Sequence, residues 1–342
     1  MSTNLFGLTL GQLRAFAVDL GRPTYLGNQL AQWIYKRRAT SFEVMSDLAV
    51  PVRKQLQELC SLERQEPTRV DESRDGTKKY LFPVNGKFIE TAYIPETDRK
   101  TLCVSSQVGC KMGCLFCMTG KQGFQANLTS AQILNQVVSI AEFSQLTNVV
   151  YMGMGEPLDN LDAVLLSLEI LTADWGLGFS QQKITVSSVG LLPALEDFFN
   201  RSKVRFALSL HSPFDEERAS LMPVQNVHAM DDVLDFIRNR QESDVRRVSI
   251  EYICFAGVND TPRHTKELVR RLHGLKTRVN LIHFHPIPGT PLQGSDSSAM
   301  ERMQRELSAK GIAATIRRSR GEDIWAACGL LSTKALTVPL KT

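Results

Sequence analysis

The chain has 342 residues, long enough for about two domains, a large buried core and a deep cleft. Hydrophobic residues make up 43% and charged residues 22%, which excludes a disordered or collagen-like chain. The formal charge of +4 is compatible with a polyanionic partner without requiring one, and no run approaches the ~18–20 apolar residues of a membrane helix. The opening MSTNLFGLTLGQLRAF lacks a basic and then apolar leader, so a soluble cytoplasmic protein with no membrane segment is expected.

Residues 1–60 read as short amphipathic helices. Leu8, Leu10, Leu13, Phe16, Ala17 and Leu20 recur at helical spacing until Gly21-Arg22-Pro23. Leu26, Leu30, Trp33 and Ile34 form a second pattern that ends in Lys36-Arg37-Arg38, and residues 51–59 form a third. The basic triad is either a solvated helix end or a phosphate contact. Over 61–95 the pattern changes to strands: 77–82 and 87–94 flank Asn85-Gly86, a hairpin turn signal, so a β-hairpin extension carrying Glu90 is expected.

A strand over 101–105 leads into a cysteine-rich loop. Strands at 148–152, 183–187, 204–210, 248–252, 279–283 and 314–316 then alternate with helical patterns, among them 130–143, 161–171, 230–239, 265–272 and 299–310. Six or seven βα units in series predict an α/β fold, a parallel sheet curling into a full or partial (β/α) barrel over 96–330, with 331–342 as a tail. In such a barrel function gathers beyond the C-terminal ends of the strands. The cysteine loop, Gly153-Met-Gly-Glu-Pro157, Ser187-Ser-Val-Gly190, Ser209-Leu-His-Ser-Pro213 and His283-Phe-His-Pro286 all fall there.

The seven cysteines are Cys60, Cys103, Cys110, Cys114, Cys117, Cys254 and Cys328. An odd number in a long chain without an export signal argues against a disulfide framework. Cys110, Cys114 and Cys117 lie in one loop as C-x3-C-x2-C. Zinc usually takes two ligand pairs, and no second CxxC or HxxxH is present. Three thiolates suit a [4Fe–4S] cluster whose fourth iron stays open. Structural zinc and plain buried thiols are the competing readings.

The C-x3-C-x2-C loop opening a βα barrel resembles the radical S-adenosylmethionine superfamily. The resemblance sharpens over nearly the whole chain. It rests on Phe88-Ile-Glu-Thr91, Cys103-Val-Ser-Ser-Gln-Val-Gly-Cys110, Thr119-Gly-Lys-Gln-Gly-Phe124, Met152-Gly-Met-Gly-Glu-Pro157, Ser209-Leu-His-Ser-Pro213 and Asp323-Ile-Trp-Ala-Ala-Cys-Gly329. Together these resemble the adenine carbon-2 methyltransferases, the RlmN family, which are similar to the carbon-8 methyltransferases of the Cfr family.

The resemblance implies a radical-SAM partial barrel and a [4Fe–4S] cluster on Cys110, Cys114 and Cys117. It also implies S-adenosylmethionine, two molecules consumed per turnover, contacted by Gly155, Glu156, Ser187, Ser209, Leu210 and His211. An electron-poor adenine carbon cannot attack a methyl sulfonium, and the family answers with a relay. By analogy Cys328 accepts a methyl group, its methylene radical adds to carbon 2, and Cys103 releases the product by forming a disulfide with Cys328. Glu90 matches the family's proton acceptor. Without that context Cys103 and Cys328 read as packing thiols and Glu90 as a solvated edge carboxylate, and Cys60 and Cys254 remain structural thiols.

The implied substrates are one adenosine at the peptidyl transferase centre of 23S rRNA and the adenosine 3′ of a tRNA anticodon. An external electron donor, flavodoxin-like or similar, and a monomeric state are expected. Phosphate contacts are expected from Lys36, Arg37, Arg38, Lys78, Lys79, Arg99, Lys100, Arg317, Arg318 and Arg320, with the run 317–320 favoured because it lies close to Cys328. One departure stands out: where better-known members carry Trp-Asn before Pro, this chain has Phe284-His285-Pro286, so His285 is carried as the cofactor contact. The alternatives are carbon-8 methylation and, from another class, a zinc-stabilised RNA-binding protein.

Overall fold

The computed structural model describes residues 3–241, 244 and 246–333; the remainder of the expected tail, 334–342, lies outside the described residues. Ten strands form one sheet in strictly sequential order: β1 (Arg69–Glu72), β2 (Lys78–Val84), β3 (Lys87–Pro95), β4 (Lys100–Val104), β5 (Asn148–Tyr151), β6 (Ile184–Ser188), β7 (Arg205–Ser209), β8 (Val248–Cys254), β9 (Thr277–His283) and β10 (Ala313–Arg317). From β4 to β10 every pairing is parallel. The sheet does not close, because β1 and β10 are its two edges. This is the partial barrel read from the alternating strand and helix patterns. Observed strand ends differ from the expected ones by one or two residues.

Helices cover the outside of the parallel strands: α5 (Ser130–Val138), α6 (Leu161–Thr172), α7 (Leu192–Arg201), α8 (Asp215–Leu221), α9 (Met230–Arg240), α10 (Pro262–Leu272) and α11 (Ser297–Ala309), with a short α4 (Met118–Gln122) after the cysteine loop. Capping chemistry sets several starts. Thr129 and Gln132 form a reciprocal capping box at α5, and Asp296 accepts from the Ala299 N–H at α11. Helix α5 ends at Val138 rather than at 143, because Ile140 turns back into the core. No described helix is long and apolar enough to cross a membrane.

Strands β1–β3 are the expected extension, but they do not form a separate unit. Antiparallel pairing of β3 with β4 continues the barrel sheet, and the β2–β3 turn uses Asn85 and Gly86 at positive φ. Register decides what shares a face: Glu90 stands opposite Leu81, and Ala92 opposite Cys103. With side chains alternating along each strand, Glu90 and Cys103 therefore project from the same face of the sheet.

The N-terminal helices α1 (Leu10–Asp19), α2 (Tyr25–Ala31) and α3 (Val50–Leu59) pack into the same hydrophobic core as the barrel. A π-helical turn at Gln32–Lys36 follows α2 and buries Trp33, Ile34 and Tyr35. Gly7 is required at its contact with α5: a Cβ there would lie 2.5 Å from that of Ala131, and its φ is +95°. Asn135 on α5 exchanges two hydrogen bonds with the Gln65 backbone, at 2.9 and 2.8 Å.

Candidate active site

Two adjoining cavities open at the C-terminal ends of the parallel strands. One, of about 150 Å³, is lined by Cys110, Cys114, Cys117, Gly155, Glu156, Ser187, Ser209 and His211. The sequence placed these residues in four separate segments, and the fold brings them around one cavity. The second, of about 290 Å³, is lined by Cys103, His285, Arg99, Arg317, Arg318 and Arg320. Cys117, Arg317 and Cys328 line both. Cys328 thus stands at the opening between the chamber of the three thiols and the chamber of Cys103.

The three loop thiols sit on tight backbone. Gly109 has φ +75° and its missing Cβ would overlap the Gly123 carbonyl at 1.7 Å, so the loop start tolerates no side chain. The Leu115 N–H donates to the Leu221 carbonyl at 2.9 Å, tying the loop to α8. Burial pushes Cys110 up to about 12, Cys114 well above its ordinary value and Cys117 up as well. Such thiols become thiolates only against strong positive charge, which iron supplies. Among the described residues no three His, Cys, Asp or Glu side chains converge on a single metal ion. All three thiols instead line one chamber, and three thiolates from one loop suit a cube held at three corners.

Glu156 is buried and fixed from two sides. Its Oε1 accepts from the Leu158 N–H at 3.0 Å and its Oε2 from the Val189 N–H at 3.1 Å. Its own N–H donates to Gln107 Oε1 at 2.9 Å. Burial raises the carboxyl to about 7 against those bonds and one from Ser188. Such a group gains most from a ligand ammonium. His211 has φ +58°, and its Nδ1 accepts from the Ile253 N–H at 3.0 Å. Burial, then the nearby Arg218 charge, pulls the imidazole down to about 3, so it stays neutral with its hydrogen on Nε2.

Leu210 stands apart from its neighbours Ser209 and His211. Its side chain is in the core, its N–H donates to the Glu251 carbonyl, and its own carbonyl accepts from Arg218 Nε. His285 lines the Cys103 chamber and not that of the three thiols, bonding Ser319 Oγ at 2.8 Å and pairing with Glu322 at 3.2 Å.

All seven cysteines are free, so the Cys103–Cys328 disulfide suggested by resemblance is not formed here. Cys103 is buried, and burial followed by the Cys328 charge raises it to about 12 while Arg317 opposes the rise. Cys328 is exposed to the chambers' mouth. Cys60 and Cys254 are buried within the core, with thiols raised by burial to about 11 and about 12.

Glu90 is no solvated edge carboxylate: it is 2% exposed. Lys79 Nζ lies 3.0 Å from its Oε1, and the Ser332 N–H donates to its Oε2 at 2.8 Å. Lys79 is therefore not the phosphate contact expected from sequence, because it is 4% exposed and its charge is spent on Glu90. Lys78 pairs with Glu142 at 2.9 Å, and Lys100 Nζ bonds the Glu96 and Thr97 carbonyls. Arg37 lies over the Trp33 ring and Arg38 over Phe143, both exposed beside Lys36.

Two residues escaped the sequence reading. Glu251 lines the thiol chamber, its Oε1 accepting from Asn280 Nδ2 at 2.8 Å; a carboxylate inside the apolar run of β8 was the available signal. Arg218 is wholly buried and holds the Val189, Ser209 and Leu210 carbonyls at 2.9, 3.3 and 3.2 Å, bracing the loops that follow β6 and β7. Nothing in its acidic helix announced that.

Residues 104–272 match the radical SAM superfamily, and residues 3–62 match the ribosomal RNA large subunit methyltransferase N-terminal domain. A Porphyromonas gingivalis protein named probable dual-specificity RNA methyltransferase RlmN is 53% identical over 330 residues, 96% of each chain. The dual-specificity RNA methyltransferase RlmN of Geobacter sulfurreducens is 42% identical over 96% of this chain and 91% of its own. A crystal structure of a radical SAM methyltransferase from Sphaerobacter thermophilus superposes with a TM-score of 0.89 at 38% identity, covering 96% of this chain and 99% of that one.

Proposed function

The chain belongs to the RlmN family of radical S-adenosylmethionine RNA methyltransferases, and on that premise we propose that it methylates carbon 2 of adenosine in 23S rRNA and in tRNA through a cysteine relay. The observation that carries this reading is the position of Cys328, on the shared wall of the thiol chamber and the Cys103 chamber. One thiol there can meet a methyl donor on one side and a nucleobase on the other.

Cys110, Cys114 and Cys117 would hold the [4Fe–4S] cluster, and Gly155, Glu156, Ser187, Ser209 and His211 would receive S-adenosylmethionine. Glu156 suits the methionine ammonium. When bound, the cluster and its cofactor would supply the one-electron chemistry that removes a hydrogen atom from the Cys328 S-methyl group and takes back the electron released with the carbon-2 proton, with two cofactor molecules consumed per turnover. His285 suits a contact at the edge of the base chamber more than one inside the thiol chamber.

The protein's own groups perform the remaining steps. Cys328 sulfur takes a methyl group as a nucleophile and later, as a methylene, bonds carbon 2 of the base. Glu90 accepts the proton lost from carbon 2, whose bonding pair stays in the ring. Since the Ser332 N–H now covers Glu90, the segment at 330–333 has to yield for a base to reach it. Cys103 thiolate attacks Cys328 sulfur: an S–S bond forms, the S–CH2 bond breaks, and its electron pair takes up a proton to complete the methyl group. Arg317 opposes the burial-driven rise of the Cys103 thiol and so favours its anionic form.

Arg99, Arg318 and Arg320 at the second chamber, with Lys36, Arg37 and Arg38 on the helical domain, are suited to RNA phosphates. Splaying the target base from a folded RNA costs a few kcal/mol that such contacts offset. The enzyme is proposed to act in the cytoplasm as a monomer with an external, flavodoxin-like electron donor. Incubating anaerobically reconstituted protein with labelled S-adenosylmethionine and unmodified rRNA or tRNA, then locating the methyl group by mass spectrometry, tests the reading. Methyl on carbon 2 is expected; methyl on carbon 8, or a colourless zinc protein without methyl transfer, overturns it.

A further inference from the structure

Glu90 and Lys79 form a buried ion pair whose geometry is set by the sheet. Lys79 stands opposite Ala92, so it reaches Glu90 diagonally across the β2–β3 pairing, two positions along β3. The pair is 3.0 Å apart with both residues below 5% exposure. Among the described residues, Glu90 is the ion-pair partner of Lys79.

Stability alone is a weak reason for this pair. Removing two charges from water costs about as much as their attraction returns, and apolar residues of similar size serve a buried sheet face at least as well. Other anchors already fix the backbone here: Ser105 Oγ donates to the Glu90 carbonyl at 2.6 Å, and the Met154 N–H donates to Ser105 Oγ at 2.8 Å. The ammonium acts on the carboxylate, not on the strand.

We infer that Lys79 is a positioning residue for the proton acceptor, holding Glu90 Oε1 in place and keeping the carboxylate charged and ready. The inference rests on the reading of Glu90 as that acceptor. With Lys79 on Oε1, the carboxylate keeps free lone pairs for an incoming proton once the Ser332 N–H has left Oε2. The charged and polar groups around the carboxylate come from four elements: Asp71 on β1, Lys79 on β2, Ser332 after Cys328, and Met154 after β5, whose Sδ accepts from the Glu90 N–H. Asp71, directly opposite Lys79, is itself paired with Arg69 at 2.8 Å. Burial pushes the Glu90 carboxyl up; the Lys79 charge and bond and the Ser332 N–H oppose the rise, and Asp71 adds to it. Without the ammonium, burial acts unopposed by any cation in this set. A larger share of Glu90 would then carry a proton, and a protonated carboxyl cannot take the carbon-2 proton.

Single-turnover assays on reconstituted holoenzyme with unmodified tRNA, run from pH 6 to about 9.5, test this with Lys79→Met, Lys79→Arg and Glu90→Gln. For Lys79→Met, product release at neutral pH is expected to fall about tenfold or more, with covalent protein–RNA adduct accumulating, and to recover as pH rises. Lys79→Arg should keep a profile close to wild type. Infrared spectra at neutral pH should show a protonated carboxyl band in Lys79→Met that is absent from Lys79→Met/Glu90→Gln. If Glu90→Gln releases product normally, the acceptor reading fails. If Glu90→Gln stalls but Lys79→Met keeps the wild-type pH profile and shows no carboxyl band, the role of Lys79 alone fails. Equal loss in Lys79→Arg and Lys79→Met without a shifted profile would likewise overturn it, leaving only a packing role.

Discussion

Ser73 and Asp323 are 250 positions apart, yet the Ser73 Oγ donates to Asp323 Oδ1 at 2.6 Å. The Arg74 N–H donates to the other oxygen of Asp323 at 3.2 Å, and the Gly321 N–H donates to Asp75 Oδ2 at 3.0 Å. The turn between β1 and β2 therefore docks the loop that carries Cys328. Gly321 allows the close approach: it has φ +63°, and a Cβ would lie 2.7 Å from Thr77 Cγ2.

Asp323→Ala should loosen this dock. The Ser73 bond holds Asp323 below its ordinary range, so it is charged at neutral pH. A bond of this kind in an exposed setting is worth about 1 kcal/mol. Methyl loading of Cys328 should slow several-fold while the melting temperature hardly moves. Mass spectrometry of the Cys328 peptide after exposure to S-adenosylmethionine reads this; unchanged loading would refute the docking role.

Cys328→Ala should abolish methyl uptake by the protein, whereas Cys103→Ala should still take up methyl and then trap RNA. Denaturing gels with labelled RNA separate the two outcomes. Normal turnover without trapped RNA in Cys103→Ala would remove Cys103 from the release step.

Glu156→Gln should weaken S-adenosylmethionine binding at least tenfold, since a buried charge-assisted bond is worth about 1.5–3 kcal/mol, with little change in bound iron. In the wild type, burial holds the carboxyl at about 7, so its charge is lost as pH falls through that value. Affinity for the ammonium should fall with it. Equilibrium dialysis across this range checks the sign, and a flat profile in wild-type protein would contradict it.

Gly155→Ala should destabilise the fold by about 3 kcal/mol or more, because positive φ and overlap act together. The φ is +98°, and a Cβ would lie 2.5 Å from Gln107 Cβ. Denaturant unfolding measures the loss, and S-adenosylmethionine binding should weaken with it because Glu156 is the next residue.

The elements most visible in the sequence were those with local causes. Asn85-Gly86 fixed the hairpin, and the alternation of short apolar runs with amphipathic stretches located the barrel strands to within one or two residues. The C-x3-C-x2-C spacing identified the three thiols because a single loop supplies them all. The end of α5 was misjudged, since Ile140 continues an apolar pattern but packs from a turn. Lys79 was misassigned for a deeper reason: next to Lys78 in a strand, nothing local says that one lysine faces solvent and Glu142 while the other is buried on Glu90.

Residue types, their spacing and their periodicity by themselves determined the α/β class, the thiol triad and the set of loops where chemistry could gather. These depend on neighbours within a few positions, and local sterics and hydrogen bonding suffice for them. Strand register and docking of the C-terminal segment decided the rest: Cys328 between two chambers, Glu90 and Cys103 on one face, and a lysine turned from the surface to a carboxylate. Those relations join residues from 11 to 225 positions apart across strand pairings and loop contacts, so they come into being only when the core closes and each buried charge must find its partner.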